Sequence, residues 1–371
     1  MRKKLTVLCT GNPGSGRDEY LQRMLTVDNA AQTINYYHLY DYIIQKCETE
    51  GYRLNKQTIL DFVISNPREI ERIRSLAIDE ICSEIQDSDC AIHVISTPYS
   101  FEWNGTLIFG LTADDIKRLN PQKFIVLIDD ITRIRKRLAA DAQWREKDFT
   151  LVELAKWRRT EIDGTRSIAF SFDPPRDFTL LPVEHDPRVL LMLLLSTVKK
   201  IYLSYPITGA QPEEIQKVHL FAKRLTGMYT VFDPLTIQEW ALVECWKKER
   251  DEANEENKKM PASIECDIRY QSGLMKFQCN SEEIRHAIKD IRHQIVARDY
   301  MLIETSDYVV VYHAKKEISV GVVCEMVYGK THGKLVYAMY PYEPSPFLEY
   351  YSHRIFKNED QFLAFLQRIA S

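Results

Sequence analysis

No C-x-x-C pair occurs among the eight cysteines, so their spacing suggests neither a zinc site nor a disulfide framework. Reduced thiols in a cytoplasmic protein are the expectation. Long apolar runs are missing as well. The longest, residues 189–195, falls far short of a membrane span. Residues 5–9, behind Met1-Arg2-Lys3-Lys4, are too short for the core of a signal peptide and read better as a first strand. An excess of one charge is the third absence. A net charge of −4 argues against a general polyanion binder, although it leaves room for a local basic groove. Membranes and nucleic-acid polymers are therefore not the expected partners.

What is present is the pattern of an α/β protein. A chain of 371 residues expects two or three domains, each with its own core. The first opens on Leu5-Thr6-Val7-Leu8-Cys9-Thr10, a buried-strand pattern. Gly11-Asn12-Pro13-Gly14-Ser15-Gly16-Arg17-Asp18 follows, then a helical pattern to about Met24. Strand, glycine-rich turn and helix make the frame of a phosphate-binding loop, whose glycines let backbone N–H groups point at phosphate oxygens. Two positions depart from the usual chemistry. Arg17 replaces the lysine and keeps its charge on a bulkier, planar group. Asp18 replaces the Ser/Thr that holds magnesium, and a carboxylate there repels phosphate unless a metal lies between. A tight turn without a ligand is the alternative reading.

Further strands are expected at 33–38, 91–96, 123–128 and 167–172. Helices fill the gaps at 56–65, 67–86 and 114–119, an alternation that argues for a parallel sheet. Asp129 and Asp130 end one strand, where they could hold a metal or cap the next helix. Helices over 131–140 and 151–162 carry many arginines, and Arg145 lies between them. They read either as a lid that closes over phosphates or as a solvated basic pair. Residues 174–186 are rich in proline and charge. The apolar helix candidate at 189–198 is expected to pack on the first sheet, with the domain boundary at 197/198.

A second α/β pattern restarts at Lys200-Ile201-Tyr202-Leu203-Ser204-Tyr205. It runs through helix 212–225, strand 229–232, a charge-balanced exposed segment at 247–259, the long helix 281–300 and strand 308–312. Next comes Ser319-Val320-Gly321-Val322-Val323-Cys324-Glu325, which opens a helix to about Tyr328. Ser319 can cap its start. Gly321 and Glu325, four apart, share one face, so a missing side chain leaves room for a ligand beside a carboxylate. The same spacing fits a capped core helix with an incidental Glu. A strand at 334–339, an aromatic loop at 340–351 and a helix at 359–370 complete the pattern. Two carboxylates can divide a glycosidic cleavage between nucleophile and proton handling. Glu325 is the nucleophile candidate and Asp299 its partner, unless Asp299 only pairs with Arg298. Tyr202 can donate to the nucleophile or simply pack.

Residues 1–197 resemble the archaeal-type adenylate kinases and related small P-loop nucleotide kinases. The resemblance rests on residues 11–16, Ile34-Asn35-Tyr36, Ser96-Thr97-Pro98 with Gly105 and Gly110, the strand and acidic pair at 125–130, the basic stretch 133–145, and 182–188. It implies nucleotide binding by Gly11, Asn12, Pro13, Gly14, Ser15, Gly16, Arg17, Asp18 and Arg145, with ATP and magnesium as the implied cofactor. The changes at Arg17 and Asp18 fall on the chemistry, so a degenerate, nucleotide-binding domain is preferred. Residues 198–371 resemble the nucleoside 2-deoxyribosyltransferase-like proteins, closest to the 2′-deoxynucleoside 5′-phosphate N-hydrolases. The matching pieces are Ile201-Tyr202-Leu203, Ile207-Thr208-Gly209, Arg298-Asp299, residues 306–311 and residues 319–325. This resemblance implies a Rossmann-like (flavodoxin-like) domain with Glu325 as nucleophile and Asp299 as assisting acid. Tyr202 would touch the catalytic carboxylate and Ser319 a 5′-phosphate, with Gly321, Ile207, Thr208 and Gly209 around the substrate. Thr208 stands where the phosphate hydrolases carry a basic residue, which unsettles a 5′-phosphate preference.

The expectation is a two-domain α/β enzyme that cleaves or transfers the N-glycosidic bond of a nucleoside or nucleotide. It carries no separate metal site and is expected to be a homo-oligomer. A bifunctional nucleoside monophosphate kinase and a nucleotide-controlled NAD glycohydrolase are the competing readings.

Overall fold

The computed structural model describes residues 4–195, 198–207 and 209–370. The chain forms two compact units. One comprises residues 1–187 and 238–292, the other residues 188–237 and 293–371. A single crossing at 197/198 is therefore replaced by three. The helix Pro187–Leu195 begins at the first crossing, and all but its first residue belongs to the second unit. The expectation that it belongs with the first sheet is corrected, since an apolar sequence does not choose between two sheets.

In the first unit, β1 (Leu5–Thr10), β2 (Ile34–His38), β3 (Ile92–Ser96), β6 (Lys123–Ile128) and β7 (Asp177–Pro182) form a sheet in the order β2-β3-β1-β6-β7. Every pairing is parallel, with Val7 opposite Val94 and Cys9 opposite Ile125 among the registers. Between β3 and β6 lies the antiparallel hairpin of β4 (Ser100–Trp103) and β5 (Thr106–Phe109). Asn104 and Gly105 turn it with positive φ at both positions, as a tight two-residue turn requires.

The strand expected at 167–172 is not one. Residues 151–170 form a single helix, Leu151–Phe170, started by a capping box between Thr150 and Glu153. Leu151, Leu154, Ala155, Arg158, Glu161, Ile162, Thr165 and Ala169 continue its buried stripe through the supposed strand. The fifth strand is instead Asp177–Pro182, inside the proline-rich segment. Proline at its end is compatible with a strand on the sheet edge.

The second unit contributes β8 (Lys200–Ser204) and β9 (Thr230–Phe232). Residues 238–292 then belong to the first unit. They include the helix Trp240–Glu255 and the antiparallel hairpin of β10 (Ser263–Tyr270) and β11 (Gly273–Asn280). The helix Ser281–Thr305 carries the last crossing. β12 (Tyr308–Tyr312), β13 (Leu335–Met339) and β14 (Arg354–Phe356) complete a parallel sheet ordered β14-β13-β12-β8-β9.

Alternation along the strands sorts this sheet's two faces. Ile201, Leu203, Tyr205, Tyr308, Val310 and Tyr312 enter an aromatic-rich core with Phe221, Phe356 and Phe362. Tyr202 and Ser204 point to the opposite face, paired in register with Val309 and Val311. The helix Val320–Thr331 covers that face. Its Gly329 lies so close to Val309 that an added Cβ would be 2.6 Å from the valine Cγ2.

The expectation of eight reduced thiols is corrected at one pair. Cys245 and Cys266 are disulfide-bonded with a Cα–Cα separation of 5.8 Å, because the helix Trp240–Glu255 packs on β10. Among the described residues no helix is long and apolar enough to cross a membrane.

Candidate active site

The second sheet changes the direction of its crossovers between β8 and β12. In such sheets ligands bind beyond the carboxyl ends of the strands at that point. Glu325 is placed there by the helix after β12. Tyr202 donates its phenol O–H to Glu325 Oε1 at 2.8 Å, and Ser204 donates its hydroxyl to Oε2 at 2.5 Å. Both carboxylate oxygens are thus oriented by neighbours two residues apart on one strand. Burial and the neighbouring Asp299 carboxylate push Glu325 up to about 8, against the two hydroxyl donors and Arg298, which favour its charge.

Asp299 is buried at 9% exposure. Burial raises its pKa too, opposed by Arg298, whose Nε and Nη2 donate to Asp299 Oδ1 at 3.0 and 2.9 Å. Arg298 also donates to the Pro234 carbonyl at 3.2 Å, which fixes the guanidinium. Tyr202 stays a protonated donor, since burial and the charges of Asp299 and Glu325 raise its pKa well above 10.

Ser319 occupies the N-cap position but makes no side-chain cap hydrogen bond, which corrects the expected capping. The start of the helix is held by its backbone instead: Ser319 N–H donates to His313 Nε2 at 3.2 Å. That bond requires Nε2 to be unprotonated, so Nδ1–H faces the Lys315 carbonyl at 3.1 Å. Burial lowers the His313 pKa, in keeping with an unprotonated Nε2. Gly321 is exposed, and a Cβ built on it would meet only Ser319 Oγ, at 3.8 Å. That open space lies one turn before Glu325 on the same helix face. Ile207 is partly buried against the aromatic core, and Gly209 holds a positive φ of 72°. Thr208 lies outside the described residues.

In the first unit the glycine-rich loop follows β1 at the corresponding switch point, between β1 and β6. Asn12 to Asp18 line a cavity of about 750 Å³, and Gly11 lies beneath them against the Leu127 carbonyl. Gly14 and Gly16 take φ of 78° and 79°, open to glycine and strained for other residues.

Arg17 is not free to meet a phosphate. Its Nε and Nη2 donate to Asp18 Oδ1 and Oδ2 at 3.0 and 2.8 Å, and its Nη1 to the Gly11 carbonyl at 2.8 Å. Asp18 also accepts from Tyr36 at 3.1 Å and Ser96 at 2.5 Å, with His38 Nε2 at 3.6 Å. Burial would raise the Asp18 pKa, yet Arg17 overrides it and holds the carboxyl well below its ordinary range. With both oxygens engaged by donors, this loop does not fit a magnesium-bound triphosphate.

Arg145 is exposed and does not line the cavity, whereas Arg137 and Arg74 do. The basic helix Ile131–Ala140 is no lid. Arg133 pairs with Asp129 and Glu184, Arg135 with Asp148 and Glu283, and Arg137 with Asp129 at 2.6 Å and the Gly14 carbonyl at 2.9 Å. Asp130 caps that helix through Thr132 N–H, and Asp129 is held by Arg133 and Arg137.

No family model matches the chain, and no curated protein matches it. Among solved structures, a 2-deoxyribosyltransferase from the psychrotolerant bacterium Bacillus psychrosaccharolyticus aligns at 17% identity. The match covers 45% of this chain and 95% of that one, with a TM-score of 0.27. A likeness at that score carries no argument, so the functional reading rests on the site.

Ser204 and His313 are the site residues that the sequence reading missed, while Arg298 was read only as a pairing partner of Asp299. Ser204 was within reach, because a strand places residues 202 and 204 on one face. His313 carried no local signal, since its partner is a backbone N–H across a loop.

Proposed function

We propose that the chain cleaves or transfers the N-glycosidic bond of a nucleoside or nucleotide through a covalent glycosyl–Glu325 intermediate. The observation that carries this reading is one carboxyl aimed by Tyr202 and Ser204, beside a second buried carboxyl and open space over Gly321. A nucleophile fixed in orientation loses little freedom on attack.

In the first step a Glu325 oxygen bonds to the anomeric carbon and the C–N bond breaks. Its electron pair goes to the leaving base, and Asp299 supplies the proton the base takes up. In the second step water or an acceptor base attacks the anomeric carbon, and the glycosyl ester breaks, returning its electrons to the Glu325 carboxylate. The attacking group's proton goes to Asp299. The order 2-1-3-4-5 of β8, β9, β12, β13 and β14 is that of a doubly wound, flavodoxin-like sheet, which supports the resemblance to the nucleoside 2-deoxyribosyltransferase-like family.

Base release from a panel of ribo- and deoxyribonucleosides and their 5′-monophosphates tests the proposal, with NAD as a further substrate. Glu325→Ala should lose activity by about 10³-fold or more, and denatured wild-type enzyme quenched during turnover should carry a glycosyl mass on Glu325. Equal turnover by Glu325→Ala and wild type would falsify the assignment. A phosphoryl-transfer reading of the first unit is not favoured, since Arg17 and Asp18 spend their charges on each other. Sustained ATP turnover with a nucleoside monophosphate would reverse that preference.

A further inference from the structure

We infer that Asp233 is a positioning residue for the Asp299 carboxyl, acting through Pro234 and Arg298; as a statement about catalysis it rests on the function proposed above. Asp233 follows β9 and is 6% exposed, yet the proposed chemistry gives this buried carboxylate no task. Its contacts all serve the turn it opens. Asp233 Oδ1 accepts the Leu235 N–H at 2.9 Å and so caps the short turn Pro234–Thr236, whose Thr236 hydroxyl donates back to the Asp233 carbonyl at 2.8 Å. The same carboxylate oxygen accepts the Tyr205 phenol O–H at 2.6 Å, a length typical of a bond to an ionised acceptor. Burial and the Asp233 charge keep that phenol protonated. Tyr205 is 3% exposed and belongs to the aromatic core, so it ties the turn to a packed wall. His219 Nε2, from the helix Pro212–Leu225, approaches Asp233 Oδ2 at 3.5 Å.

The turn meets the site through one carbonyl. Pro234 O accepts Arg298 Nη2 at 3.2 Å, and the same Nη2 reaches Asp299 Oδ1 at 2.9 Å beside Nε at 3.0 Å. A guanidinium held from both sides cannot swing away from Asp299 unless the Pro234 contact breaks. The charge of Arg298 opposes burial at Asp299 and at Glu325 alike, so slack in the turn raises the proton affinity of both carboxyls. Asparagine would cap this turn as well as aspartate does. Its neutral oxygen would hold Tyr205 less strongly, which makes the charge of Asp233 the quantity to test. The titratable and charged groups around that charge are Tyr205, His219 and, across the turn, Arg298, with Asp299 and Glu325 beyond.

The test applies two readouts to the full chain carrying Asp233→Asn or Tyr205→Phe. The first is the pH profile of base release from the panel substrate that wild type cleaves fastest. Each variant should move both limbs of kcat/KM up by about half to one pH unit and lower kcat about tenfold, with KM nearly unchanged. The second needs no turnover: carbon-13 NMR titration of the Asp299 carboxyl, assigned by the signal lost in Asp299→Asn. Its midpoint should rise by the same interval. Tyr229→Phe loses a buried hydrogen bond to the Leu366 carbonyl at 2.5 Å and controls for loosened packing; it should leave both readouts at their wild-type values. The inference is overturned if the Asp299 midpoint stays at its wild-type value in Asp233→Asn and Tyr205→Phe, or if Tyr229→Phe moves it equally. Should Asp233→Asn not fold, Tyr205→Phe decides alone. If no substrate of the panel is cleaved, the proposed function fails, and the NMR titration still decides whether Asp233 governs Asp299.

Discussion

Two hydroxyl groups aim Glu325, and each can be removed with little change of shape. Tyr202→Phe and Ser204→Ala each delete one donor to the carboxylate. Loss of one hydrogen bond to a charged group predicts a fall in kcat/KM of about ten- to a hundredfold in either variant, measured as initial rates of base release. The same carboxyl makes stability depend on pH. Its pKa rises from 4.5 to about 8 on folding, chiefly through burial and Asp299. The contribution is therefore fully present below pH 4.5 and is lost as pH rises through 8. Glu325→Gln should gain thermal stability relative to wild type as pH moves from 5 to 8, read as a growing difference in Tm by circular dichroism. A constant difference would show that the carboxyl ionises normally. Glu325 was nominated at this scale from its spacing to Gly321, while the roles given to Asp299 and Tyr202 came with the resemblance to the nucleoside 2-deoxyribosyltransferase-like proteins. The donor from Ser204 was not named, because its partner Glu325 lies on a helix distant in sequence, whereas the pairing of Arg298 with its neighbour Asp299 was already open in the sequence.

The helix Val320–Thr331 shows two glycines with opposite duties. Gly321 faces open space, so Gly321→Leu should leave Tm nearly unchanged while raising KM for the nucleoside substrate severalfold. Gly329 faces the stiff, branched Val309, and a Cβ there would meet its Cγ2 at 2.6 Å. Gly329→Ala should cost roughly 1–3 kcal/mol of unfolding free energy in urea, the range typical of overpacking. Strands and helices with clean periodicity were readable from the chain, among them Leu5–Thr10, Lys123–Ile128, Ile131–Ala140, Pro212–Leu225 and Tyr308–Tyr312. The end of Leu151–Phe170 was not. Its β-branched and aromatic residues favour a strand locally, and the burial of a continuous helical stripe overrides that preference.

At the scale of the whole molecule, residues 238–292 are the unexpected part, since they join the first unit although the chain reaches them from the second. A buried charge cluster holds them. Arg158 donates to Glu239 Oε2 at 2.9 Å and to the Asp129 carbonyl at 2.9 Å, and Ile131 N–H donates to Glu239 Oε1 at 2.9 Å. Gln238 N–H reaches Asp130 Oδ2 at 3.0 Å, and Thr132 Oγ1 meets Tyr270 OH at 3.0 Å. Burial and the nearby Glu239 charge push Asp130 up to about 7. Arg158→Met would leave Glu239 buried and unpaired, at 1% exposure, so the first unit should lose about 3–5 kcal/mol. Protease sensitivity of residues 238–292 should rise with it, and an unchanged unfolding midpoint would count against the cluster as the anchor.

The sequence by itself determined the α/β class, the glycine loop after the first strand, and the candidates Tyr202, Asp299 and Glu325. The first two follow from local periodicity and turn chemistry; the candidates rest on residue order together with a family resemblance. Only the tertiary structure decided that Arg17 and Asp18 neutralise each other, that the basic helix is spent on Asp129, Glu184 and Glu283, and that residues 238–292 fold with the first unit. Ion pairs and packing partners are chosen by proximity in space, which no spacing along this chain records.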